Sequence, residues 1–340
     1  MGRGTTADVD LPRPGRTLTG ALAVVLALLA FGAVMIGPYG LTPGQVLSAL
    51  LGQGDRQAQI VVWNIRLPRV GAALLVGAAL AAAGASYQAL FRNPLVSPDI
   101  LGVSAGAGLG AVAGIFLSLP VAAIQGAAFA GGMAAVGVVM LVGAMVRHTD
   151  RTLTLVLIGV VVGALAGAVT SLLKVMADPY DQLPAITFWL LGSLASITTR
   201  DILPALPTVL VGLIPLALLR WRINVLSLGD EEARALGIEA GRTRFVVIAA
   251  ATLITASVTA LAGVVGWVGL VIPHVARMLV GPGFGRLLPA SALIGAGYLL
   301  IVDTLARTIA AVEVPLGVLT AVIGAPFFVW LLARGRRGWS

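Results

Sequence analysis

The stretch LFRNPLVSPDILGVSAGAGLG, residues 90–110, decides how this sequence folds. A polar segment with two prolines, Arg92-Asn93-Pro94 followed by Ser97-Pro98-Asp99, separates two apolar runs. Irregular backbone exposed to lipid is unstable, because its N–H and C=O groups find no water there. The segment therefore marks either the end of a loop or a site surrounded by protein, between two segments of membrane length.

The composition on either side of this segment indicates that the solvent of the folded chain is lipid. The 340 residues are 59% hydrophobic and 11% charged, with a mean hydropathy of +1.02. Soluble domains carry about 25% charged residues. The net charge of +8 comes from scattered arginines, since Lys174 is the only lysine. Scattered arginines favour headgroup contacts and topology signals over nucleic acid binding.

Ten segments are apolar and long enough to be candidate membrane spans, which need about 20 residues each. We predict an all-α integral membrane protein, with one transmembrane domain over 18–333 and cytoplasmic tails at 1–17 and 334–340. A surface helix is expected at 41–52, and a partial helix at 184–198. The predicted spans are 18–36, 70–91, 99–119, 121–146, 152–176, 202–219, 244–265, 267–281, 287–309 and 315–333.

The distribution of basic residues predicts the orientation. Ten spans place both termini on one side, and cytoplasmic loops are enriched in arginine and lysine. With the termini in the cytoplasm, 16 basic residues lie inside and 6 outside. The inside residues are Arg3, Arg13, Arg16, Arg92, Arg147, Arg151, Arg220, Arg222, Arg234, Arg242, Arg244, Arg277, Arg286, Arg334, Arg336 and Arg337; the outside ones are Arg56, Arg66, Arg69, Lys174, Arg200 and Arg307.

Glycines at four-residue intervals predict a helix-packing face. Gly102, Gly106, Gly110 and Gly114 would share one side of the third span, where small residues let helix backbones approach closely in lipid. The run also resembles a phosphate loop, but a phosphate loop follows a strand and lies in water. Packing is the favoured interpretation.

A weak internal repeat is visible. Ala83-Gly84 precedes Pro94 by ten residues from the glycine, and Ala262-Gly263 precedes Pro273 by the same interval. Both pairs are expected to end an Ala-rich span and to lead into a proline break. Because the two copies would run in opposite directions, they predict an inverted repeat, an architecture common among transporters.

The sequence lacks the residues of several chemistries. It has no cysteine, no P-loop lysine and only two histidines, which lie far apart, so neither a metal, a cofactor nor ATP hydrolysis is expected on this chain. Asp303 and Arg307 are spaced to pair on one helix face. A proton-coupled secondary carrier using Asp303 or Glu313 is the alternative, and a membrane enzyme is a second one, but no polar constellation at membrane depth is apparent.

Two polar segments outside the spans are candidate partner surfaces. The loop LSLGDEEARALGIEAGRTR, residues 226–244, has Ser227 or Asp230 as a possible cap and Gly237 as a stop for a short exposed helix, which suggests a docking surface for a soluble partner. On the outer side, Arg66, Arg69 and Arg307 are read either as side chains reaching headgroups or as a socket for acidic residues of an external protein.

Five motifs together resemble the FecCD-type permease family, the membrane subunits of ABC importers for iron–siderophores, haem and vitamin B12. The resemblance covers about residues 18–332. The motifs are RLPR at 66–69, QALFRNPLVSPDILGVSAGAG at 88–108, LSLGDEEARALGI at 226–238, GWVGLVIPHVARMLVG at 266–281 and EVPLGVLTAVIGAPFFVWLL at 313–332.

The resemblance implies a type II importer fold and a set of partners. These are a second permease subunit, two cytoplasmic ATPase subunits and an extracytoplasmic binding protein, all at the plasma membrane of a bacterium. An iron chelate, most often a ferric siderophore, is the implied cargo, with haem or vitamin B12 as alternatives.

The resemblance also implies roles for individual residues. Arg66, Arg69 and Arg307 would dock the binding protein. The gate would lie near Thr152 and Leu153, and the fifth span and the partial helix at 184–198 would line the pathway. The loop 226–241 would couple to the ATPase, through Leu228, Gly229, Glu232, Ala233, Leu236 and Gly237.

Overall fold

The computed structural model describes residues 14–146 and 151–334, and every regular element within them is helical. Arg147 and most of both predicted tails lie outside these ranges. The helices are α1 (Pro14–Met35), α2 (Pro43–Leu50), α3 (Arg56–Ile60), α4 (Leu67–Leu90), α5 (Val103–Phe116), α6 (Val121–Met145), α7 (Arg151–Met176), α8 (Gln182–Leu191), α9 (Thr199–Leu218), α10 (Arg220–Leu226), α11 (Asp230–Ala235), α12 (Ala240–Ala262), α13 (Val268–Val280), α14 (Phe284–Ala306) and α15 (Leu316–Arg334).

The all-α membrane architecture is confirmed, and each of the ten predicted spans falls on one helix. Within the described residues, seven helical segments are long and apolar enough to cross a bilayer. The helices α5 and α13 are shorter, with 14 and 13 residues. At about 1.5 Å per residue they reach only about 20 Å, less than the hydrocarbon thickness of about 30 Å. Irregular segments precede both of them, partly exposed before α5 and mostly covered by protein before α13.

The second span is longer than predicted. A π-helical turn, Val61–Arg66, joins α3 to α4, so the helix is continuous from Arg56 to Leu90. The prediction began it at residue 70 and so omitted residues 56–69. Pro68 lacks an N–H, and the wide turn before it accommodates this defect, with Leu67 N donating to Val62 O.

The double-proline segment is folded against protein. Val96 and Leu101 are buried, Asn93 Oδ1 accepts from Leu95 N at 2.9 Å, and Pro98 packs on Gly269 of α13. A 3-10 turn, Pro98–Leu101, leads into α5. The third span therefore starts at Val103 and not at residue 99.

The centre of the bundle is built on close glycine contacts. The helix α4 packs against α12, α13 and α14. A Cβ atom on Gly77 or Gly295 would overlap the carbonyl oxygen of the other, and one on Gly84 would overlap Gly269. By contrast, α1, α7 and α9 leave most of their apolar surface exposed. Lipid or another subunit must cover that surface.

The two copies of the suspected repeat occupy different local structures. Gly84 lies inside α4, whereas Gly263 follows the last residue of α12. Pro94 lies in a loop, whereas Pro273 lies inside α13. The expectation that both pairs end a helix is therefore wrong. The inverted repeat remains a prediction, since equal spacing in a glycine-rich chain does not require equal structure.

Candidate coupling and docking sites

The segment between α9 and α12 forms two short helices, α10 and α11. The helix α11 starts after Gly229, whose φ of +153° few other residues adopt, and Gly237 ends it with a φ of +73°. No side chain caps its start, so the expectation that Ser227 or Asp230 does so is wrong. The carboxylate of Glu232 occupies the space that a Cβ on Gly229 would need. Gly229 and Gly237 thus permit a six-residue helix between two sharp turns.

A single ion pair fixes α11 to the adjacent spanning helix. Arg244 Nη2 of α12 lies 2.9 Å from Asp230 Oδ1, and the arginine is buried. Ala233 is also buried, and its carbonyl accepts from Ile238 N at 2.8 Å. Nothing in the sequence signals this pair, because a spacing of 14 residues does not predict a contact.

Two leucines at the ends of α11 are exposed. Leu228 is 65% and Leu236 55% exposed. Exposed apolar side chains on a rigid support are typical of a surface that another protein covers. The six predicted coupling residues therefore differ in their structural roles. Ala233 is buried, Gly229 and Gly237 form the turns, and Glu232 folds onto Gly229. The two leucines face outward.

The three outer arginines are buried, and the expectation that they lie on the surface is wrong. Arg66 donates to the carbonyl oxygens of Val34, Met35 and Tyr39 at 2.6–3.1 Å. Arg307 donates to Ala33 O at 2.6 Å. Both guanidinium groups thus satisfy carbonyls at the end of α1, which have no partner within their own helix.

Arg69 joins two carboxylates. Its Nε donates to Asp303 Oδ1 at 2.9 Å, and its Nη2 donates to Glu313 Oε1 at 2.7 Å. Asp303 is fully buried, whereas the side chain of Glu313 is 27% exposed. Ser193 Oγ also donates to Glu313, at 3.3 Å. The network therefore connects α4, α14, the loop before α15 and the segment after α8.

The predicted pairing of Asp303 with Arg307 is only a secondary contact. The Nε of Arg307 lies 3.8 Å from Asp303 Oδ2 and makes no hydrogen bond within the described residues. Arg69 is the closer partner, because its guanidinium enters from another helix at the level of the carboxylate. A cleft of about 610 Å³ opens onto Arg66, Arg69, Arg307 and Glu313.

The glycine series on α5 faces α6. A Cβ on Gly106 would overlap Gly131 O, and one on Gly110 would overlap Ala127 O. Gly114 approaches Ile124. Gly102 differs from the others, since it precedes α5 with a φ of +78° and lies nearest to Gly159 of α7. The predicted common face thus holds for three glycines, and Gly102 instead forms the turn into the helix.

The predicted gate residues lie in the first turn of α7. Leu153 is 54% exposed, and Thr152 is partly exposed. The exposed apolar side of α7 continues along the whole helix through Leu157, Val161, Leu165, Leu172 and Val175. The partial helix α8 ends at Leu191, so residues 192–198 of the predicted partial helix are not helical.

These features define a class of protein. The chain is a polytopic α-helical membrane protein with an exposed short helix between two of its spans, anchored by an ion pair. It belongs to the FecCD transport family, which matches residues 23–334. It is therefore an ABC importer permease, and members of this class are not themselves enzymes.

Individual relatives match most of the chain. The cobalamin import system permease protein BtuC of Halobacterium salinarum is 46% identical over 81% of this chain and 74% of its own length. The molybdate import system permease protein MolB of Haemophilus influenzae is 38% identical over 93% and 94%. The hemin transport system permease protein HmuU of Yersinia pestis is 36% identical over 94% and 96%.

Solved structures show the same fold. A metal-chelate type ABC transporter in an inward-facing conformation has a TM-score of 0.86 and 37% identity, covering 94% of this chain and 99% of that one. PsaBC of Streptococcus pneumoniae has a TM-score of 0.58 at 13% identity, covering 84% of this chain and 94% of the other. The second likeness shows the fold alone.

Proposed function

We propose that this chain carries an iron chelate, most often a ferric siderophore, across the cytoplasmic membrane of a bacterium. Two permease subunits form the pathway, two ATPase subunits bind from the cytoplasm, and a binding protein delivers cargo from outside. Both termini are cytoplasmic. The helix α11, with Leu228 and Leu236 exposed and Asp230 held by Arg244, is the observation that carries this proposal.

Coupling requires a rigid connection between the ATPase and the spanning helices. The ion pair of Asp230 with buried Arg244 supplies one, since it links α11 directly to α12. Movement of an ATPase bound at Leu228 and Leu236 is thereby transmitted to α12. The cytoplasmic end of α7, with Thr152 and Leu153, is the proposed inner gate.

Docking of the binding protein is proposed at the outer cleft. The three arginines and two carboxylates there leave one net positive charge. Since the guanidinium groups are already paired, they act on an acidic partner mainly through their field, which steers encounter and fixes register. The second permease covers the exposed apolar side of α7, which has no partner helix among the described residues along most of its length.

A proton-coupled carrier agrees less well with the buried network. A proton site must exchange its proton during transport, but Asp303 is fully buried and paired with Arg69. The network is therefore better suited to holding helices together.

The names of the relatives bear on the cargo. Relatives include permeases for cobalamin, molybdate, hemin, Fe(3+)-citrate and iron chelatin. A metal chelate agrees with most of these names. The 46% identity to a cobalamin permease favours vitamin B12 as the second candidate.

Transport in proteoliposomes tests the proposal. The permease, reconstituted with its ATPase subunits and binding protein, should take up a radiolabelled ferric siderophore only with ATP on the ATPase side. Labelled cobalamin and haem serve as competing cargoes. Uptake by this chain alone, driven by a proton gradient, would contradict the proposal. Replacing Glu232 and Arg234 with alanine should lower uptake per ATP hydrolysed while the chain stays folded.

A further inference from the structure

A pocket lies between α10 and the turn that precedes α14, on the predicted cytoplasmic side. Its volume is about 390 Å³. It belongs neither to the coupling helix α11 nor to the outer cleft. The lining residues are Arg220, Trp221, Asn224, Gly283, Gly285 and Arg286.

Two glycines and two arginines are neighbours in the lining of this pocket. A Cβ on Gly285 would lie 3.4 Å from Arg220 Cδ, and one on Gly283 would lie 4.0 Å from Arg286 Nη2. Asn224 Oδ1 accepts from Phe284 N at 2.8 Å, which fixes α10 to the start of α14. The pocket is thus held open by a fixed backbone, with space where side chains are missing.

The pocket carries positive charge without a counter-charge. Arg220 and Arg286 are both exposed, and neither forms an ion pair among residues 14–146 and 151–334. Among the residues that the structure describes, no carboxylate lines the pocket. The first turn of α14 adds the positive end of a 23-residue helix. An anion that bridges the two guanidinium groups would complete this arrangement.

The position of the pocket relative to the membrane surface indicates which anion fits. Arg220 comes two residues after the last residue of α9, and Arg286 is the third residue of α14; both helices are long enough to cross a bilayer. Both guanidinium groups therefore lie at headgroup level. Trp221 is 57% and Leu218 77% exposed beside them, and tryptophan is enriched at this interface. A phosphate that carries acyl chains matches both the charge and the apolar flank.

We propose that this pocket binds the phosphate of an anionic phospholipid of the cytoplasmic leaflet, with phosphatidylglycerol as the probe. The phosphate lies between Arg220 and Arg286, and an acyl chain covers Trp221 and Leu218. Basic pockets between helices on this side of a membrane protein select anionic headgroups. The bound lipid holds α10 against α14 in addition to the hydrogen bond from Phe284.

Fluorescence quenching locates the lipid. The full chain in detergent is titrated with brominated phosphatidylglycerol, and the signal of Trp221 is the difference between the wild type and Trp221→Phe. Removing both charges with Arg220→Gln and Arg286→Gln should weaken binding about 25-fold, at about fivefold for each arginine.

A charge placed inside the pocket gives a sharper test. In Gly285→Glu both arginines remain, and the new carboxylate competes with the phosphate. The fold should tolerate this change, since a Cβ at this position makes only ordinary contacts and acidic residues suit a first helical turn. Loss of phosphatidylglycerol binding in Gly285→Glu, with retention in the matched Gly285→Gln, supports the proposal.

Three outcomes would overturn it. Equal quenching by brominated phosphatidylcholine would remove the role of the negative charge. Full competition by millimolar inorganic phosphate would indicate a site for the free anion. Unchanged lipid binding in the double arginine variant, together with loss of a co-purifying ATPase subunit, would make the pocket a protein interface.

Discussion

Arg69 and Asp303 form an ion pair inside the helix bundle, with Nη2 of the arginine 2.9 Å from Oδ1 of the aspartate. The two residues are 234 positions apart and join α4 to α14. Their geometry is asymmetric. Arg69 has a second carboxylate in Glu313, whereas the more distant Arg307 is the only other cation beside Asp303 in the described part of the chain.

This asymmetry predicts that substitutions of the three residues lower the free energy of unfolding by unequal amounts. Arg69→Met leaves a fully buried carboxylate without its main partner, and such losses cost about 3–5 kcal/mol. Asp303→Asn should cost less, since Arg69 keeps Glu313, and Glu313→Gln should cost less than about 1 kcal/mol because that pair is partly exposed. Midpoints of unfolding of the purified chain in mixed micelles would give this order. Equal destabilisation by all three would contradict it.

Neither member of this pair could be matched from the sequence. Hydropathy and residue spacing describe contacts within one helix, and they correctly placed a helix at each of the ten spans. The same local logic selected Arg307 as the partner of Asp303, four residues away. Only the packing of α4 against α14 brings Arg69 closer. The Asp230–Arg244 pair escaped for the same reason.

The outer arginines show a second limit of the sequence. Scarce charges at span ends are usually exposed, but Arg66 and Arg307 are buried against carbonyls at the end of α1. Those acceptors are backbone atoms, which carry no sequence signal. The glycine series was more informative, since small residues at fixed spacing allow few arrangements other than close packing.

The contact between α5 and α6 predicts that glycines of α6 are not equivalent. A side chain at Gly131 would overlap the backbone of Gly106, whereas a Cβ on Gly126 has nothing within 4 Å. Gly131→Leu should therefore destabilise the chain by about 1–3 kcal/mol or more. Gly126→Leu, the matched control in the same helix, should be neutral or slightly stabilising. Thermal unfolding compares the stability of the two variants, and similar midpoints would refute the prediction.

The Asp230–Arg244 pair predicts a defect in coupling without a defect in folding. Asp230→Asn weakens the connection between α11 and α12, so uptake per ATP hydrolysed should fall several-fold in the assembled transporter. Glu231→Gln is the control. The carboxylate of Glu231 is next to Asp230 in the sequence but makes no ion pair among the described residues. Both variants should sediment as the wild type does. If Asp230→Asn transports with unchanged stoichiometry, α11 does not transmit the movement through this pair.

The proposed orientation of the chain predicts that two exposed sites are accessible to a labelling reagent from opposite sides of the membrane. The sequence has no cysteine, so a single introduced thiol reports its own position. Tyr180, 92% exposed between α7 and α8, lies on the proposed outer side, and Leu228 before α11 lies on the proposed cytoplasmic side. Tyr180→Cys should react with a membrane-impermeant maleimide in intact spheroplasts, and Leu228→Cys only after permeabilisation.

Val175→Cys, 84% exposed on the apolar side of α7, is the control for lipid or subunit cover and should react slowly in both conditions. Rapid labelling of Leu228→Cys from outside would place the coupling helix on the wrong side of the membrane for any cytoplasmic ATPase.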